Sequence, residues 1–358
     1  MEQKTSSAGF GPIITENLHL FQCPICGGDL LLAEEGGIAC EGCSHRFGSE
    51  NEIALMFWPA EWHDPNQDVT EKVQAFYEEN PFPNYEGLDS RDSLRKKAET
   101  GVFARLLDEQ IPQRAHILEV GCGTGQLSNF LGMTWGRTVF GSDLCLNSLR
   151  LANNFRQNQT IEGAAHLQMN LFRPVFKANS FDFVISNGVL HHTGDPYRGF
   201  QEIGRLVKPG GYILIGLYNK IGRLTTDTRR LIFNLTNNRL TFLDSRLREE
   251  SMIGARRRAW FMDQYKHPHE SKHTIGEVQR WFAENGFDFV NAIPKAEAFA
   301  PFSADEKLFA DNAPGSRLDH ALVQLGLLLR GAREGGFFIM IGRKQGKINH
   351  STVQQFNN

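Results

Sequence analysis

Short apolar strands alternate with helical stretches from His116 onward, and this alternation limits the fold more than any other feature of the sequence. Each strand is a run of four to seven mostly apolar residues, and the helical stretches repeat their apolar residues every three to four positions. Such an order predicts an α/β fold with a mostly parallel sheet covered by helices on both faces. The predicted strands are Ile117–Val120, Thr138–Gly141, Ala165–Met169, Phe183–Ser186, Tyr212–Leu217, Phe287–Ile293 and Phe337–Arg343.

Two long stretches interrupt this alternation. Residues 220–272 follow the fifth strand, and residues 295–335 separate the sixth strand from the seventh. Connections of this length in a compact domain are usually functional caps or binding elements. We therefore expect both insertions to cap the functional edge of the sheet.

Four of the six cysteines form two Cys-x-x-Cys pairs, Cys23/Cys26 and Cys40/Cys43, with thirteen residues between the pairs. Zn²⁺ favours four tetrahedral ligands, and two thiolates three residues apart on a tight turn supply half of them. A redox role needs only one such pair, and buried free thiols are the other alternative. The sequence therefore predicts a structural zinc site with no position left open for catalysis.

The domain organisation follows from these patterns. Residues 1–16 are polar and are expected to form a flexible tail. Residues 17–58 form the zinc ribbon, and residues 59–110 form a linker with N-terminal helices that act as a lid. The main domain spans residues 111–346, and residues 347–358 are expected to be a disordered tail.

A glycine-rich loop, Gly121-Cys122-Gly123-Thr124-Gly125, directly follows the first strand. A dinucleotide-binding loop has the pattern Gly-x-Gly-x-x-Gly, and here the third glycine comes one residue early, which disfavours a pyrophosphate site. The second strand leads into Asp143, and an acid at this place can accept hydrogen bonds from ribose hydroxyls. A simple tight turn at the loop and a helix cap at Asp143 are the alternatives.

Three further motifs follow in a fixed order: Met169-Asn170-Leu171-Phe172, Phe181 to His192, and Leu206-Val207-Lys208-Pro209-Gly210-Gly211. Together with the loop they resemble the class I S-adenosylmethionine-dependent methyltransferases, notably the group that includes quinone-biosynthesis methylases. The resemblance covers residues 100–220 well and reaches 346 more loosely. It implies a Rossmann-like seven-stranded sheet with the last strand antiparallel, and S-adenosylmethionine as cofactor.

This resemblance also implies which residues bind the cofactor. They are Glu119, Gly121, Cys122, Gly123 and Gly125 beneath the methionine part, Asp143 at the ribose, Leu144, Asn170 and Leu171 at the adenine, and Asn187 near the methionine moiety. Asn170 stands where the family usually has Asp. An Asn carbonyl can accept the same hydrogen bond.

The segment Phe21–Phe57 resembles the zinc ribbon of small proteins that activate tRNA methyltransferases. It shares Cys-Pro-x-Cys, a polar hairpin, Cys-x-x-Cys, and then Asn51-Glu52-Ile53 before an apolar strand. The resemblance implies a zinc site that stabilises the fold and presents a docking surface. A protein partner at the ribbon is therefore one prediction.

Candidate catalytic residues follow the strands, because ligands bind at the carboxyl ends of parallel strands. They are His191 and His192 after the fourth strand, Tyr218 at the end of the fifth, and His267 and His269 in the polar run 263–273. The sulfonium already activates its methyl group, so a general base is needed only for a weakly acidic acceptor. Core packing, capping, a second metal site and a plain polar loop are the alternatives for these residues.

Charge and hydropathy narrow the functional classes. The net charge of −3 gives no overall attraction to nucleic acid, yet the segment from Lys220 to Trp260 carries ten Lys or Arg against four Asp or Glu. That excess suits RNA phosphates, an anionic small substrate or an acidic partner. No membrane-spanning run and no signal peptide is recognisable, and a cytoplasmic location is expected.

These observations favour a methyltransferase that acts on a small-molecule acceptor through an O- or C-nucleophile. An rRNA or tRNA methyltransferase is the first alternative, because the basic segment suits RNA. A non-catalytic scaffold that binds the cofactor is the second, because the glycine loop and Asp143 argue only for binding.

Overall fold

A computed structural model describes residues 9–33, 37–83, 85, 87–249, 254–330 and 335–346. Within these ranges a small antiparallel sheet lies near the N-terminus and a nine-stranded sheet forms the body. The small sheet contains β1 (Leu30–Leu32), β2 (Ile38–Cys40) and β3 (Arg46–Phe47). The large sheet contains β4 (Ser49–Glu50), β5 (Ile53–Leu55), β6 (His116–Val120), β7 (Thr138–Asp143), β8 (Ala164–Gln168), β9 (Phe181–Asn187), β10 (Val207–Tyr218), β11 (Phe287–Ile293) and β12 (Phe337–Lys344).

Helices connect and cover these strands. In the described residues they are α1 (Pro12–Glu16), α2 (Thr70–Glu79), α3 (Arg91–Thr100), α4 (Val102–Gln110), α5 (Gln126–Leu131), α6 (Leu146–Asn158), α7 (Pro196–Gly204), α8 (Leu224–Leu235), α9 (Gly254–Phe261), α10 (Ile275–Glu284) and α11 (Arg317–Arg330). A π-helical turn, Met262–Lys266, continues α9. None of the described helices is long and apolar enough to cross a bilayer.

The predicted seven-stranded sheet is confirmed. The strand order is β11-β12-β10-β9-β6-β7-β8-β5-β4, in which β6 to β10 are parallel and β12 is antiparallel to both of its neighbours. Alternate residues of β9 enter different cores, since Phe183 and Ile185 pack on one side and Val184 on the other. Both faces of the sheet are therefore covered, as the alternation of strands and helices predicts.

The N-terminal module, residues 17–58, supplies two strands at one edge of the large sheet. Strand β5 pairs in parallel with β8, with Ala54 opposite Leu167, and β4 pairs with β5. Glu50 forms an ion pair of 2.6 Å with Arg150 of α6. The region 17–58 is therefore more than a separate ribbon, because its last strands extend the sheet of the main domain.

The N-terminal region also differs from the expected flexible tail over residues 1–16. Residues Pro12–Glu16 form α1, and the side chain of Ile14 is fully buried. Ile14 belongs to the same apolar core as Phe140 and Phe176, and this burial is what orders the helix. Residues 1–8, and the predicted disordered tail 347–358, lie outside the described residues.

Candidate active site

The glycine loop between β6 and α5 has a backbone that only glycine adopts without strain. The φ angles of Gly121, Gly123 and Gly125 are +73°, +54° and +70°. A Cβ atom on Gly121 would lie 2.3 Å from Val189 Cγ2, and one on Gly123 would lie 2.3 Å from the Phe82 carbonyl oxygen. The loop is therefore packed tightly from two sides while its backbone faces a cavity.

Asp143 at the end of β7 organises this loop. Its Oδ2 accepts a hydrogen bond of 2.8 Å from the Gly123 N–H, and its Oδ1 accepts one of 2.8 Å from the Cys145 N–H. The side chain that caps α6 is instead Cys145, whose sulfur accepts from the Ser148 N–H at 3.4 Å. The helix-cap alternative for Asp143 therefore does not hold, and burial raises the pKa of the Asp143 carboxyl group.

Glu119 lies beneath the same loop. It is buried, and its Oε2 accepts a hydrogen bond from the Ser128 hydroxyl. Burial raises the pKa of Glu119 to about 7. Glu119 and Asp143 thus place two carboxyl groups against the glycine loop, within an otherwise apolar sheet.

Asn170, after β8, is held by two hydrogen bonds. Its Nδ2 donates to the Trp58 carbonyl at 3.1 Å, and its Oδ1 accepts from the Phe172 N–H at 3.0 Å. The amide orientation is thereby fixed, and Oδ1 keeps a second lone pair. Asn187 fits beside Gly216, where a Cβ would come within 2.1 Å of its Oδ1.

Nine of the ten predicted cofactor residues line one cavity of about 1220 Å³. Gly125 is the exception, because it packs behind the loop against Ala152 and His166. Single-ligand pockets usually measure about 300–1000 Å³, so this cavity has room for a cofactor and a second molecule. The nine predicted cofactor residues that line the cavity are Glu119, Gly121, Cys122, Gly123, Asp143, Leu144, Asn170, Leu171 and Asn187.

The N-terminal helices close one side of this cavity. Helix α2 contributes Val73 and Tyr77 to the lining. The Glu78 carboxylate accepts hydrogen bonds from the N–H groups of Leu146 and Asn147 at 3.0 and 3.3 Å, so α2 is attached to the N-terminus of α6. This position suits the lid role predicted for residues 59–110.

The aromatic segment after α2 lies against the glycine loop. The Tyr85 hydroxyl donates to the Thr124 carbonyl at 2.9 Å, and the Thr124 hydroxyl donates to the Pro83 carbonyl. Asn129 in turn donates to the Tyr85 hydroxyl at 3.1 Å. The lid and the loop therefore form a connected hydrogen-bonded unit.

A polar cluster lies at another side of the cavity. The Tyr77 hydroxyl donates to Asp263 Oδ1 at 3.0 Å, and Gln264 Nε2 lies 2.9 Å from Asp263 Oδ2 and 2.7 Å from the Tyr218 hydroxyl. All four residues and His192 line the cavity. Burial raises the pKa of Asp263 and of Tyr218. Sequence reasoning singled out the run 263–273 for its three histidines, its Asp and its Glu, but named His267 and His269 as the catalytic candidates and missed Gln264 and Tyr77.

The structure separates the candidate histidines. His192 Nδ1 lies 2.9 Å from the His269 carbonyl, and a carbonyl only accepts, so Nδ1 carries the proton and Nε2 keeps its lone pair. Burial lowers the pKa of His192 to about 4. The His267 ring stacks on the His192 ring with centroids 3.6 Å apart, but His267 does not line the cavity.

His191 and His269 are placed differently from the prediction. His191 is fully buried, it packs on Tyr218 outside the cavity lining, and neither ring nitrogen has a partner among the described residues. His269 provides its backbone carbonyl to the rings of His192 and His267. Its imidazole does not line the cavity. These positions favour a packing role for His191 and a main-chain role for His269.

A buried ion pair supports the polar cluster from behind. Arg223 is fully buried and donates to Glu270 at 2.9 and 2.7 Å, while Arg230 donates to the same carboxylate at 2.8 Å. Burial opposes ionisation of Glu270, but the hydrogen bonds from Arg223 outweigh it and lower the pKa to about 2. Two arginines of the basic segment thus have an ion-pair partner within the protein.

The four predicted zinc ligands converge in the N-terminal module. All four Sγ atoms lie within 4.8 Å of one another, with Cys23 and Cys43 3.7 Å apart and Cys26 and Cys40 3.4 Å apart. Zn–S bonds of about 2.3 Å in a tetrahedron place sulfurs about 3.8 Å apart. The donor set and its spacing therefore fit a closed Zn²⁺ site.

Comparison with known proteins agrees with this geometry. Residues 118–215 match a family described as a methyltransferase domain. The chain is 28% identical over 253 residues to an uncharacterized protein of Synechococcus sp., covering 62% of this chain and 60% of that protein. It is 30% identical over 121 residues to the ubiquinone biosynthesis O-methyltransferase of Coxiella burnetii, covering 33% of this chain and 50% of that protein.

A third relative is the demethylmenaquinone methyltransferase of Oceanobacillus iheyensis, 30% identical over 147 residues, covering 40% of this chain and 60% of that protein. The chain thus spans between one half and three fifths of the length of these relatives. The sheet order, the loop and the family match agree. This chain contains a methyltransferase domain of the class I, S-adenosylmethionine-dependent type.

Proposed function

We propose that the protein transfers a methyl group from S-adenosylmethionine to a small-molecule acceptor held in the same cavity. The observation that carries this proposal is that Gly121 of the glycine loop and Asp143 at the end of β7 share one cavity of about 1220 Å³ with His192, Tyr218 and Asp263. The quinone methyltransferases among the relatives support a small-molecule acceptor.

The residues around the loop suit S-adenosylmethionine, which supplies an activated methyl group when bound. Each Asp143 oxygen accepts one backbone N–H and keeps a further lone pair for a ribose hydroxyl. Gly121 and Gly123 let the backbone approach the ligand closely. Leu144 and Leu171 offer apolar surface for the adenine, and Asn170 Oδ1 can accept from its amino group.

The polar cluster suits an acceptor with a protonated oxygen or carbon. His192 is neutral near pH 7 because burial lowers its pKa to about 4, so its free Nε2 can accept a hydrogen bond or a proton. Asp263 lies on the same wall and is oriented by Tyr77 and Gln264. The lid helix α2 restricts access of water to this wall.

We also propose that Cys23, Cys26, Cys40 and Cys43 hold one structural Zn²⁺ per chain. The four-sulfur donor set supports this, as do the Gly28 and Gly42 N–H groups, which lie 3.4 and 3.3 Å from the Cys26 and Cys40 sulfurs. A protein partner at the ribbon stays a prediction.

Methyl-tritiated S-adenosylmethionine incubated with the protein and a lysate of its host tests the activity. Enzyme-dependent label in the organic-soluble fraction supports the proposal, provided that Asp143→Ala abolishes it. Label in RNA would instead favour the RNA methyltransferase, which the basic segment suits. Cofactor binding without transfer to any fraction would favour the scaffold.

A further inference from the structure

Exposed apolar side chains are concentrated in the two insertions. Of the fifteen large apolar residues that are exposed in the described part of the chain, ten lie between residues 224 and 243 or between residues 299 and 329. Scattered exposed leucines are normal, but such a concentration marks an interaction surface. The apolar surface also belongs to the segments that the regular methyltransferase sheet does not require.

Helix α11 carries the clearest stripe. Leu318, Leu322, Leu325 and Leu329 are all exposed, with Leu329 exposed by 78%. Their spacing of four, three and four residues places them on one helical face. The leucines at 224, 231 and 235 of α8 follow a similar spacing and are exposed as well.

The stripe on α11 leads into the cavity. Leu322 is exposed by 38% and also lines the cavity, and Phe299 lines it while being exposed by 93%. Val323 and Leu327 on the next face of α11 line the cavity too. Helix α8 begins beside α11, since a Cβ on Gly222 would lie 2.9 Å from the Leu327 Cβ. The exposed apolar surface of the insertion that carries α11 therefore reaches the cavity at Leu322 and Phe299.

Exposed positive charge lies in the insertion that carries α8, whereas the insertion that carries α11 exposes both signs, namely Glu297, Asp305 and Asp311 against Lys307 and Arg317. Arg239, Arg248, Arg257 and Arg258 are exposed in the same insertion as α8. In the described part of 236–261, Glu249 is the exposed acid, while Asp244 is buried and accepts hydrogen bonds from Trp260 and Tyr265. Exposed leucines on a helix, with exposed arginines in the same insertion, are the pattern of segments that lie in the interface of an anionic bilayer.

We propose that the exposed leucines of α8 and α11 dock the protein on an anionic lipid bilayer, and that the methyl acceptor is a lipophilic molecule drawn from that bilayer into the cavity. This inference rests on the proposed methyl transfer. A second copy of the chain is the less suitable occupant, because pairing two α8 insertions would bring the same four arginines together, whereas anionic headgroups attract them.

Vesicle flotation without cofactor tests the docking. We expect the full chain to bind vesicles of equal parts phosphatidylcholine and phosphatidylglycerol, to bind phosphatidylcholine alone far less, and to be released by salt. The double variant Leu325→Gln/Leu329→Gln, which spares the cavity lining, should lower binding about tenfold. The control Leu31→Gln/Leu32→Gln removes two exposed leucines from β1 and should bind as before. Equal thermal unfolding midpoints show that both variants fold.

Several results would overturn the docking proposal. These are absence of binding to both vesicle types, an equal loss in the control variant, and a leucine-dependent dimer in sedimentation velocity without vesicle binding. Labelled product that stays in the aqueous fraction would overturn the lipophilic acceptor. Since flotation needs neither cofactor nor turnover, it fails independently of methyl transfer, which the tritium assay measures separately.

Discussion

The side-chain amide of Asn170 donates a hydrogen bond of 3.1 Å to the backbone carbonyl of Trp58. Trp58 follows β5, the strand that attaches the N-terminal module to the sheet, and Asn170 lies in the loop proposed to contact the adenine. Met56 N–H also donates to the Gln168 carbonyl at 3.1 Å. The N-terminal module and the proposed cofactor site are therefore in direct hydrogen-bonded contact.

Loss of the proposed Zn²⁺ should consequently weaken cofactor binding. Cys26→Ser is expected to lower zinc content and to raise the dissociation constant for S-adenosylmethionine about tenfold, which equals about 1.4 kcal/mol, because the segment that holds Asn170 loses its support. Elemental analysis and calorimetry measure the two quantities. Glu41→Gln in the same hairpin should change neither, and a zinc-free variant with unchanged affinity would contradict the coupling.

Asp143→Ala should weaken binding of S-adenosylmethionine at least tenfold, about 1.4 kcal/mol or more, because charge-assisted hydrogen bonds are lost. Asp143→Asn should also weaken it, since an Asn nitrogen would face a backbone N–H where Asp143 now accepts from Gly123 and Cys145. Calorimetry measures both. Asp195→Asn, at a carboxylate that caps α7, is the matched control, and equal affinity in all variants would refute the ribose assignment.

Gly123→Ala should disrupt the loop, because a Cβ there meets the Phe82 carbonyl oxygen at 2.3 Å and φ is +54°. We expect a loss of about 1–3 kcal/mol in the free energy of unfolding together with weaker cofactor binding. Gly48→Ala is the control, since no atom lies within 4 Å of its Cβ position. Denaturant titration compares the two, and equal stability would show that the loop tolerates a side chain.

Turnover should depend on the polar residues that line the cavity, and not on every histidine of the run 263–273. Asp263→Asn and His192→Gln are each expected to lower turnover about 10²-fold while cofactor affinity holds. His269→Ala should retain activity, because the residue contributes its carbonyl. Initial rates on the acceptor found by the tritium assay check this. A large loss of turnover in His269→Ala, with little loss in the other two variants, would instead identify His269 as the general base.

Stability should fall in acid because of buried histidines. Burial lowers the pKa of His166 to about 3, so between pH 6.5 and 3 the unfolded chain binds a proton that the folded chain does not, and folding loses stability as the pH falls. Between pH 7.5 and 5 this group alone costs about 2 kcal/mol. His166→Leu should reduce the acid sensitivity by that amount in urea titrations, whereas the exposed His63→Leu should not.

Local patterns predicted the strands well and the long-range contacts poorly. The strand Phe287–Ile293 has its predicted bounds, because seven residues of β-favouring apolar pattern suffice to define it. The sequence pattern predicts one helix over Ser90–Glu109, but the structure divides this stretch at Gly101 into α3 and α4, since glycine weakens a helix interior. The pairing of β5 with β8 has no local signal at all.

In the candidate site, too, local patterns predicted some residues, while the long-range contacts between others were not predicted. Nine of the ten predicted cofactor residues share a cavity because they lie at or just after the carboxyl ends of parallel strands, and that rule needs no long-range information. Tyr77 and Asp263 approach each other across 186 positions in the chain. The sequence around Tyr77 and the sequence around Asp263 do not predict this contact, because it arises from the packing of α2 against the first insertion.

The pairing of β5 with β8 also orders events during synthesis. The cysteine module leaves the ribosome first, while its partner strand follows about 110 residues later, a delay of roughly 5 to 20 s at usual elongation rates. The proposed ligands Cys23, Cys26, Cys40 and Cys43 lie within 21 residues of one another, so the hairpin that holds them needs no later part of the chain to form. If it binds the proposed Zn²⁺ at that stage, the strand that pairs with β8 is already anchored when β8 emerges.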